Sequence, residues 1–202
     1  MVKIAIDIVL LPSDEIMDKV VAMSNDLFKE TNNDTIILNK KDCLPHVSLA
    51  MGCINEGDLP KIEKILKDIS SRFKPFNLKF TKVDFVTTPK GETVSGLSIE
   101  KTSKLQELHE KIMDKLTKYF TENVTISALY PKPKPEETTL FWINGFRDKS
   151  SFENFSPHIT IGFGELKNIN FPIIGNTKKL AICHLGNYCT CRKVLASINL
   201  VI

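Results

Sequence analysis

Apolar residues along the chain follow two kinds of spacing. Residues 2–11, VKIAIDIVLL, are rich in β-branched side chains and end at a proline, which predicts a buried strand. Residues 13–31 instead repeat apolar positions at helical spacing behind a serine that is suited to cap a helix. The same amphipathic period recurs at residues 56–73 and at about 103–122. The pattern therefore predicts an opening strand and three helices.

Alternating runs elsewhere predict hairpins. NLKFTKVDFVTT and ETVSGLSIE are separated by the turn sequence PKG, and KLAICHLGNY is followed by CTCRKVLASINLVI at the end of the chain. The proline-rich segment YPKPKPEETT predicts an extended surface loop. Three helices among hairpin-connected strands indicate an α+β fold with largely antiparallel sheets. Both halves contain a similar strand with helical and hairpin material around it, so we expect one domain over residues 1–202 with two lobes.

Length, net charge and cysteine content limit the kinds of protein that the chain can be. At 202 residues the chain can bury a sizeable core without disulfide or metal staples. The net charge of +3 permits a nucleotide or RNA ligand, but it is far below the basic excess of a dedicated duplex binder. Five cysteines without a CxxC pair argue against a zinc ribbon and suggest reduced thiols in a cytoplasmic protein. No signal peptide or membrane span is predicted, and we expect a monomer.

One eight-residue pattern occurs twice, as PHVSLAMG at residues 45–52 and as PHITIGFG at residues 157–164. Side chains two apart on a strand point to the same face, about 6.6 Å from each other. His46 and Ser48 therefore share one face, as do His158 and Thr160, while the bulky apolar residues take the opposite face. A single such match is weak, but two among four histidines are not expected by chance.

Two imidazoles and two hydroxyls facing one cleft suit acid–base chemistry on a phosphodiester. A neutral histidine can accept a proton while a protonated one donates, since histidine titrates near neutrality. The hydroxyls of Ser48 and Thr160 can hydrogen-bond the non-bridging phosphate oxygens. This set needs neither metal nor cofactor, and neither histidine has further metal ligands at suitable spacing within its motif. A serine–histidine nucleophile is also weakly supported, because the two side chains of each motif point in parallel.

Other residues are weaker candidates for substrate contact. Four aromatic side chains could stack on a base: Tyr130, Trp142, Phe163 and Tyr188. Three basic side chains in or near the proline-rich segment could contact a substrate phosphate: Lys132, Lys134 and Arg147. Core packing and solvated charge are the competing interpretations. His109 lies among charged neighbours on the third predicted helix, so a solvated or capping role is expected for it. His184 has no hydroxyl two residues on and is interpreted as structural.

The tetrads HVSL and HITI, whose histidines are 112 residues apart, resemble the paired H-x-[ST]-x (HxTx) motifs of the 2H phosphoesterase superfamily. That superfamily includes 2′-5′ RNA ligase-like proteins and cyclic phosphodiesterases. The resemblance implies a bilobal α+β fold with two mainly antiparallel sheets, outer helices and pseudo-twofold related lobes around a central cleft. It also implies that His46 and His158 form the acid–base pair and that Ser48 and Thr160 bind phosphate. Serine in the first tetrad replaces the more usual threonine and keeps the hydroxyl.

The activity implied by the resemblance is metal-independent hydrolysis of 2′,3′-cyclic phosphate RNA ends or of 2′,5′-linked oligonucleotides. The partner is then a nucleotide or a short RNA. By the same resemblance His158 is the base and His46 the acid. Two alternatives stay open: RNA joining through a 2′,5′ bond, and a nucleotide-binding module with little turnover.

Overall fold

The computed structural model of the chain describes residues 2–121 and 124–201. Within these residues the chain forms seven β-strands and four α-helices. Their bounds are β1 Lys3–Pro12, α1 Asp14–Thr31, β2 Val47–Asn55, α2 Leu59–Ser70, β3 Phe76–Thr87, β4 Thr93–Ile99, α3 Ser103–Leu116, α4 Thr138–Lys149, β5 His158–Phe163, β6 Ile173–Leu185 and β7 Cys191–Asn199. None of these helices is long and apolar enough to cross a membrane.

All strand pairs are antiparallel, and the order across the sheet is β2-β1-β6-β3-β4-β5, with β7 paired to β6. The α+β class and the antiparallel pairing expected from the sequence are confirmed. The two expected sheets are joined as halves of one seven-stranded sheet, because β6 is long enough to take part in both. Its beginning, 173–177, pairs with β3, and its continuation, 177–184, pairs with β1.

The core face of β1 follows directly from its sequence. Ile4, Ile6, Ile8 and Leu10 alternate along the strand and are buried in the main hydrophobic cluster. The opposite face of β1 carries Asp7 as well as apolar side chains. Helix α1 packs against β5, while α3 and α4 pack against β2. The two strands that follow the repeated prolines are therefore each backed by a helix.

Helix α4, residues 138–149, is an element that the sequence analysis does not predict. Its one-faced apolar pattern is weak, because exposed Phe141 and half-buried Trp142 interrupt it. A buried polar contact fixes the start of the helix: Thr139 Oγ1 donates to Asn187 Oδ1 over 2.8 Å. The loop before the helix has no regular structure, as the proline-rich segment predicts.

Two expectations about single residues are wrong. His109 is fully buried rather than solvated, and it bridges two segments: its Nδ1 contacts the Leu49 carbonyl oxygen at 2.7 Å, and its Nε2 accepts from the Phe152 N–H at 2.7 Å. The expected set of reduced thiols is also incomplete, since the structure joins Cys183 and Cys191 in a disulfide between β6 and β7.

Candidate active site

The fold brings the two repeated motifs together. His46 lies one residue before β2, His158 is the first residue of β5, and the two strands pack against each other. Burial alternates as the sequence predicts: Val47 and Ile159 are buried, whereas His158 is exposed and His46 is partly exposed. The hydroxyl-bearing faces of both motifs are thus the open faces of their strands.

Both histidines are held by the same local contact. The Nδ1 atom of His46 lies 2.7 Å from the Leu44 carbonyl oxygen, and that of His158 lies 2.8 Å from the Ser156 carbonyl oxygen. A carbonyl oxygen can only accept, so Nδ1 carries a proton in each ring and donates it. Each Nε2 is consequently free to exchange a proton with a ligand.

The proline in each motif accounts for this contact. Pro45 and Pro157 stand between the histidine and the carbonyl that its ring binds, and both prolines are buried. A fixed φ near −65° at this position restricts how the carbonyl and the imidazole can turn relative to each other. The carbonyl of Pro157 also accepts from the Ile99 N–H at 2.9 Å, which ties the second motif to β4.

A cleft of about 170 Å³ opens between the motifs. Ser48 and His158 both line it, so one motif contributes a hydroxyl and the other an imidazole to the same space. The remaining wall comes from the end of α4 and the segment after it, namely Phe146, Lys149, Ser150, Asn154, Phe155 and Ser156. His46 and Thr160 lie outside this lining. Thr160 is half-buried and pairs with Gly96 of β4.

His46 is close enough to His158 for the two to interact electrostatically. Burial lowers the pKa of His46, its hydrogen bond to Leu44 opposes this, and the charge of His158 lowers the pKa further. The free protein therefore favours a neutral His46. An anionic phosphate in the cleft acts in the opposite direction, because a negative charge stabilises the imidazolium form.

Asp7 lies beneath the first motif and was not identified from the sequence. This residue of β1 is fully buried, and its Oδ2 lies at hydrogen-bond distance, 2.6 Å, from Ser48 Oγ. The same Oδ2 is 3.8 Å from His46 Nε2. Burial raises the pKa of Asp7 well above its usual value, while the nearby Ser48 hydroxyl and Ala50 backbone act in the opposite direction. A lone acid in an otherwise apolar opening strand was the available signal for this residue.

A second recess of about 740 Å³ adjoins the cleft and is mainly apolar. Lys149 lines both spaces, and Trp142 and Phe141 line only the recess. The Lys149 ammonium lies 4.4 Å from the centre of the Phe141 ring. The end of β3 and the turn after it also line the recess, through Thr87, Thr88 and Pro89.

The weaker candidates for substrate contact differ in whether they border the cleft or the recess. Trp142 borders the recess, as described. Arg147 is exposed, but two residues before Lys149 it lies about 200° around the helix axis and faces away from the cleft. Phe163 is a correction, because its ring is buried in the core against Tyr188 and has no face open to a substrate. Tyr130 packs edge-on against His184, outside both linings.

Lys149 is the second residue that sequence reasoning missed. Its signal was helical spacing: Lys149 is seven residues, about two turns, after Trp142, so both lie on one face of a helix. Without the prediction of α4 this relation was not visible. The stem of Lys149 passes over Gly145, where a Cβ atom would come within 3.3 Å of Lys149 Cδ.

Comparison with known proteins identifies the family. A profile of the 2′-5′ RNA ligase superfamily matches residues 40–173, about two thirds of the chain, and this range includes both tetrads. The chain therefore belongs to the 2′-5′ RNA ligase superfamily, a group of 2H phosphoesterases, which supports a phosphoesterase-type enzyme. No curated protein sequence matches the chain.

Solved structures share the fold across the whole chain. TT0787 of Thermus thermophilus is 15% identical with a TM-score of 0.65, and the match covers 98% of both chains. E. coli LigT complexed with 3′-AMP is 14% identical with a TM-score of 0.54 over 99% of both chains. E. coli LigT complexed with phosphate is 10% identical with a TM-score of 0.53 over 100% of both. At these identities the likeness establishes the α+β fold alone.

Proposed function

We propose that the protein is a metal-independent phosphodiesterase that acts on 2′,3′-cyclic phosphate RNA ends or on 2′,5′-linked oligonucleotides. His46 and His158 are its general acid and base, and Ser48 and Thr160 bind the phosphate. The proposal takes the chain as one bilobal domain that works as a cytoplasmic monomer on nucleotides or short RNA. No metal or cofactor takes part in this scheme.

One observation carries the proposal: both motif histidines donate Nδ1–H to a carbonyl two residues back, which leaves both Nε2 atoms for a ligand. A structural histidine in the core, such as His109, has both ring nitrogens occupied by the protein. The motif histidines instead keep one nitrogen free, and Ser48 and His158 share one cleft. E. coli LigT was solved with phosphate and with 3′-AMP, which supports a phosphate or nucleotide ligand for this fold.

The proposed reaction is an in-line displacement at phosphorus. His158 Nε2 removes a proton from the attacking water, and His46 Nε2 delivers a proton to the departing oxygen. The hydroxyls of Ser48 and Thr160 donate to the equatorial oxygens, where negative charge increases in the transition state. The phosphate anion binds first and favours protonation of His46, which burial otherwise keeps neutral.

The test is turnover by EDTA-treated protein of an oligonucleotide with a 2′,3′-cyclic phosphate end and of 2′,5′-oligoadenylate. We expect hydrolysis of at least one substrate and a loss of about 100-fold or more in kcat/KM for His46→Ala and for His158→Ala. Full loss on EDTA treatment with recovery on adding a metal would contradict the proposal, as would an active His46→Ala variant.

Substrates with different leaving groups can show which histidine is the general acid and which is the general base. A p-nitrophenyl phosphodiester departs as a stable anion that needs little proton donation. His46→Ala should therefore lose much less activity on bis(p-nitrophenyl) phosphate than on the cyclic phosphate, whereas His158→Ala should lose activity on both. The reverse pattern would exchange the two roles and leave the two-histidine mechanism intact.

The family description itself favours a second candidate, RNA joining through a 2′,5′ bond. The same two histidines serve both directions, because ligation with a cyclic phosphate end replaces the attacking water with a ribose hydroxyl. Incubating a cyclic-phosphate-ended RNA with a second RNA bearing a free 5′-hydroxyl distinguishes the two activities by product length. Nucleotide binding without any product would instead indicate a binding module.

A further inference from the structure

Asp7 is the one buried carboxyl group in contact with the first motif among the described residues. It lies in the middle of β1, hydrogen-bonded into the sheet between Met51 of β2 and Cys183 of β6, with no exposed surface. Its Oδ2 is 2.6 Å from Ser48 Oγ, whereas Oδ1 is buried without a hydrogen-bond partner in the described part of the chain. An ionised carboxylate with an unpartnered buried oxygen is strongly disfavoured, while a neutral carboxylic acid leaves only a carbonyl-type oxygen unpaired.

The contrast with Asp84 in the other half of the sheet is informative. Asp84 also accepts a serine hydroxyl, from Ser98, but it is only half-buried and forms an ion pair with Lys82 at 2.8 Å. The Lys82 and Ser98 hydrogen bonds lower the pKa of Asp84. Asp7 has no lysine or arginine partner within residues 2–121 and 124–201. Two serine-bound aspartates in one sheet are thus in opposite electrostatic settings.

The direction of the hydrogen bond between Asp7 and Ser48 decides what Ser48 offers a ligand. If Asp7 is ionised, the Ser48 hydroxyl hydrogen points inward to the carboxylate and is not available to a phosphate oxygen. If Asp7 is a neutral acid, its own hydrogen is donated to Ser48 Oγ and the Ser48 hydrogen can turn toward the cleft, which Ser48 lines.

We propose that Asp7 is a positioning residue that remains an uncharged carboxylic acid, donates its proton to Ser48 Oγ and so directs the Ser48 hydroxyl hydrogen at the bound phosphate. Asp7 acts only through Ser48 and does not touch the substrate. This inference rests on the proposed phosphate-binding role of Ser48. The titratable groups that face this carboxyl are His46, whose Nε2 is 3.8 Å away, and the Cys189 thiol, whose pKa is raised chiefly by burial.

The competing arrangement is an ion pair, with the proton on His46 and a charge on Asp7. It contains the same number of protons, so the two differ only in where one proton lies. The amide of an asparagine can donate to Ser48 Oγ as a carboxylic acid does, but it cannot balance a charged imidazole. Asp7→Asn therefore discriminates between the arrangements, and Asp7→Ala removes both.

The first measurement needs no turnover. We expect inorganic phosphate, titrated against the protein at neutral pH and followed by NMR, to bind wild type and Asp7→Asn within about threefold of each other. Binding by Asp7→Ala should be about tenfold weaker, the scale of one hydrogen bond to a charged group. The Asp7 carboxyl carbon shift, assigned by its loss in Asp7→Asn, should stay at the position of a protonated acid near neutral pH.

The second measurement is a double-mutant cycle for phosphate binding with Ser48→Ala. Because Asp7 acts through Ser48, the double variant Asp7→Ala/Ser48→Ala should bind no more weakly than Ser48→Ala alone. Additive losses would overturn the proposal, and so would an Asp7→Asn variant as weak as Asp7→Ala. Thermal unfolding identifies any variant that fails to fold, and Asp7→Asn keeps the shape of the side chain. If the protein binds phosphate in this pattern but turns over no diester, the proposed function fails and this inference stands.

Discussion

At the scale of single residues, His109 shows how a histidine can serve the site without entering it. Its ring stacks on Phe155 with the centres 4.0 Å apart and joins Leu49 of β2 to Phe152 after α4. Phe155 lines the cleft, so His109 fixes one wall relative to the first motif. Acceptance from the Phe152 N–H requires the neutral ring, because a protonated ring has no acceptor.

His109→Ala should lower the free energy of unfolding by about 2–4 kcal/mol, since two hydrogen bonds and a ring stack are lost in the interior. His184→Ala is the matched control, because His184 is only half-buried and contacts one carbonyl, that of Ala128. Urea denaturation of the two variants measures both effects. A His109→Ala variant as stable as His184→Ala would contradict the bridging role.

The same residue predicts a pH dependence of stability. Burial is the main cause that lowers the pKa of His109 in the folded protein, while the unfolded chain titrates near 6.5. Below that value the unfolded state binds more protons, so the contribution of His109 is complete above about pH 6.5 and is lost as the pH falls. Wild type should therefore lose more stability than His109→Gln between pH 7.5 and 5.5 in urea titrations. Equal losses would contradict this explanation.

The site could be predicted from the sequence only where a residue belonged to a repeated pattern. His46, Ser48, His158 and Thr160 occur in two matching tetrads, so alternation alone assigns them to the open faces of two strands. Asp7 carries no such signal, because its importance comes from a neighbour 41 positions away. His109 was misjudged because its charged sequence neighbours hide the long-range partners that bury it.

At the scale of elements, α4 sets what surrounds the acid–base pair. It contributes Lys149 to both the cleft and the recess, and it carries the aromatic side chains Phe141 and Trp142 on the recess side. The sequence did not predict this helix because some of its apolar residues line the recess and others pack into the core, so they do not form one apolar face. Helices α1, α2 and α3 have a single buried face, and the sequence predicts them well.

Lys149→Ala should reduce kcat/KM for a cyclic phosphate substrate by about tenfold or more, as expected for the loss of a cationic contact to phosphate. Arg147→Ala is the control on the same helix, because its side chain points away from the cleft and its loss should change kcat/KM by less than about twofold. Steady-state kinetics of both variants decides the question. Equal effects would mean that only the overall charge of α4 matters.

Trp142 should act on the base rather than on the phosphate. We expect Trp142→Ala to raise KM for 2′,3′-cyclic AMP by about tenfold, the scale of one lost base–aromatic stack. KM for a ribose 2′,3′-cyclic phosphate without a base should not change, since that ligand has nothing to stack. A similar rise for both ligands would show that Trp142 only supports the fold of α4.

At the scale of the whole molecule, β6 makes the two halves of the sheet one unit. Thr177 lies where the strand passes from one half to the other: it pairs with Phe76 and Pro12, and its Oγ1 donates to the Leu11 carbonyl at 2.9 Å. Buried residues from both halves also belong to the same hydrophobic cluster. Unfolding of one half therefore removes a strand and a core surface from the other.

We expect a single cooperative unfolding transition in urea, with coincident curves from far-UV circular dichroism and from the fluorescence of Trp142, the only tryptophan in the chain. Thr177→Val should shift both curves equally, by about 1–2 kcal/mol, because it removes one buried hydrogen bond with little change in shape. Two separate transitions, or a shift in only one probe, would indicate that the halves fold independently.

The continuous course of β6 also has a consequence for how specificity can evolve. A hinge motion that opens the two lobes would bend β6, which both lobes share. The distance between the two histidine motifs is therefore expected to be nearly fixed. Helix α4 and the irregular segment before it belong to no strand ladder and can vary in length and composition without disturbing that distance. New substrates are then acquired by remodelling one wall around an unchanged pair of proton carriers, which separates the chemistry of the protein from its choice of ligand.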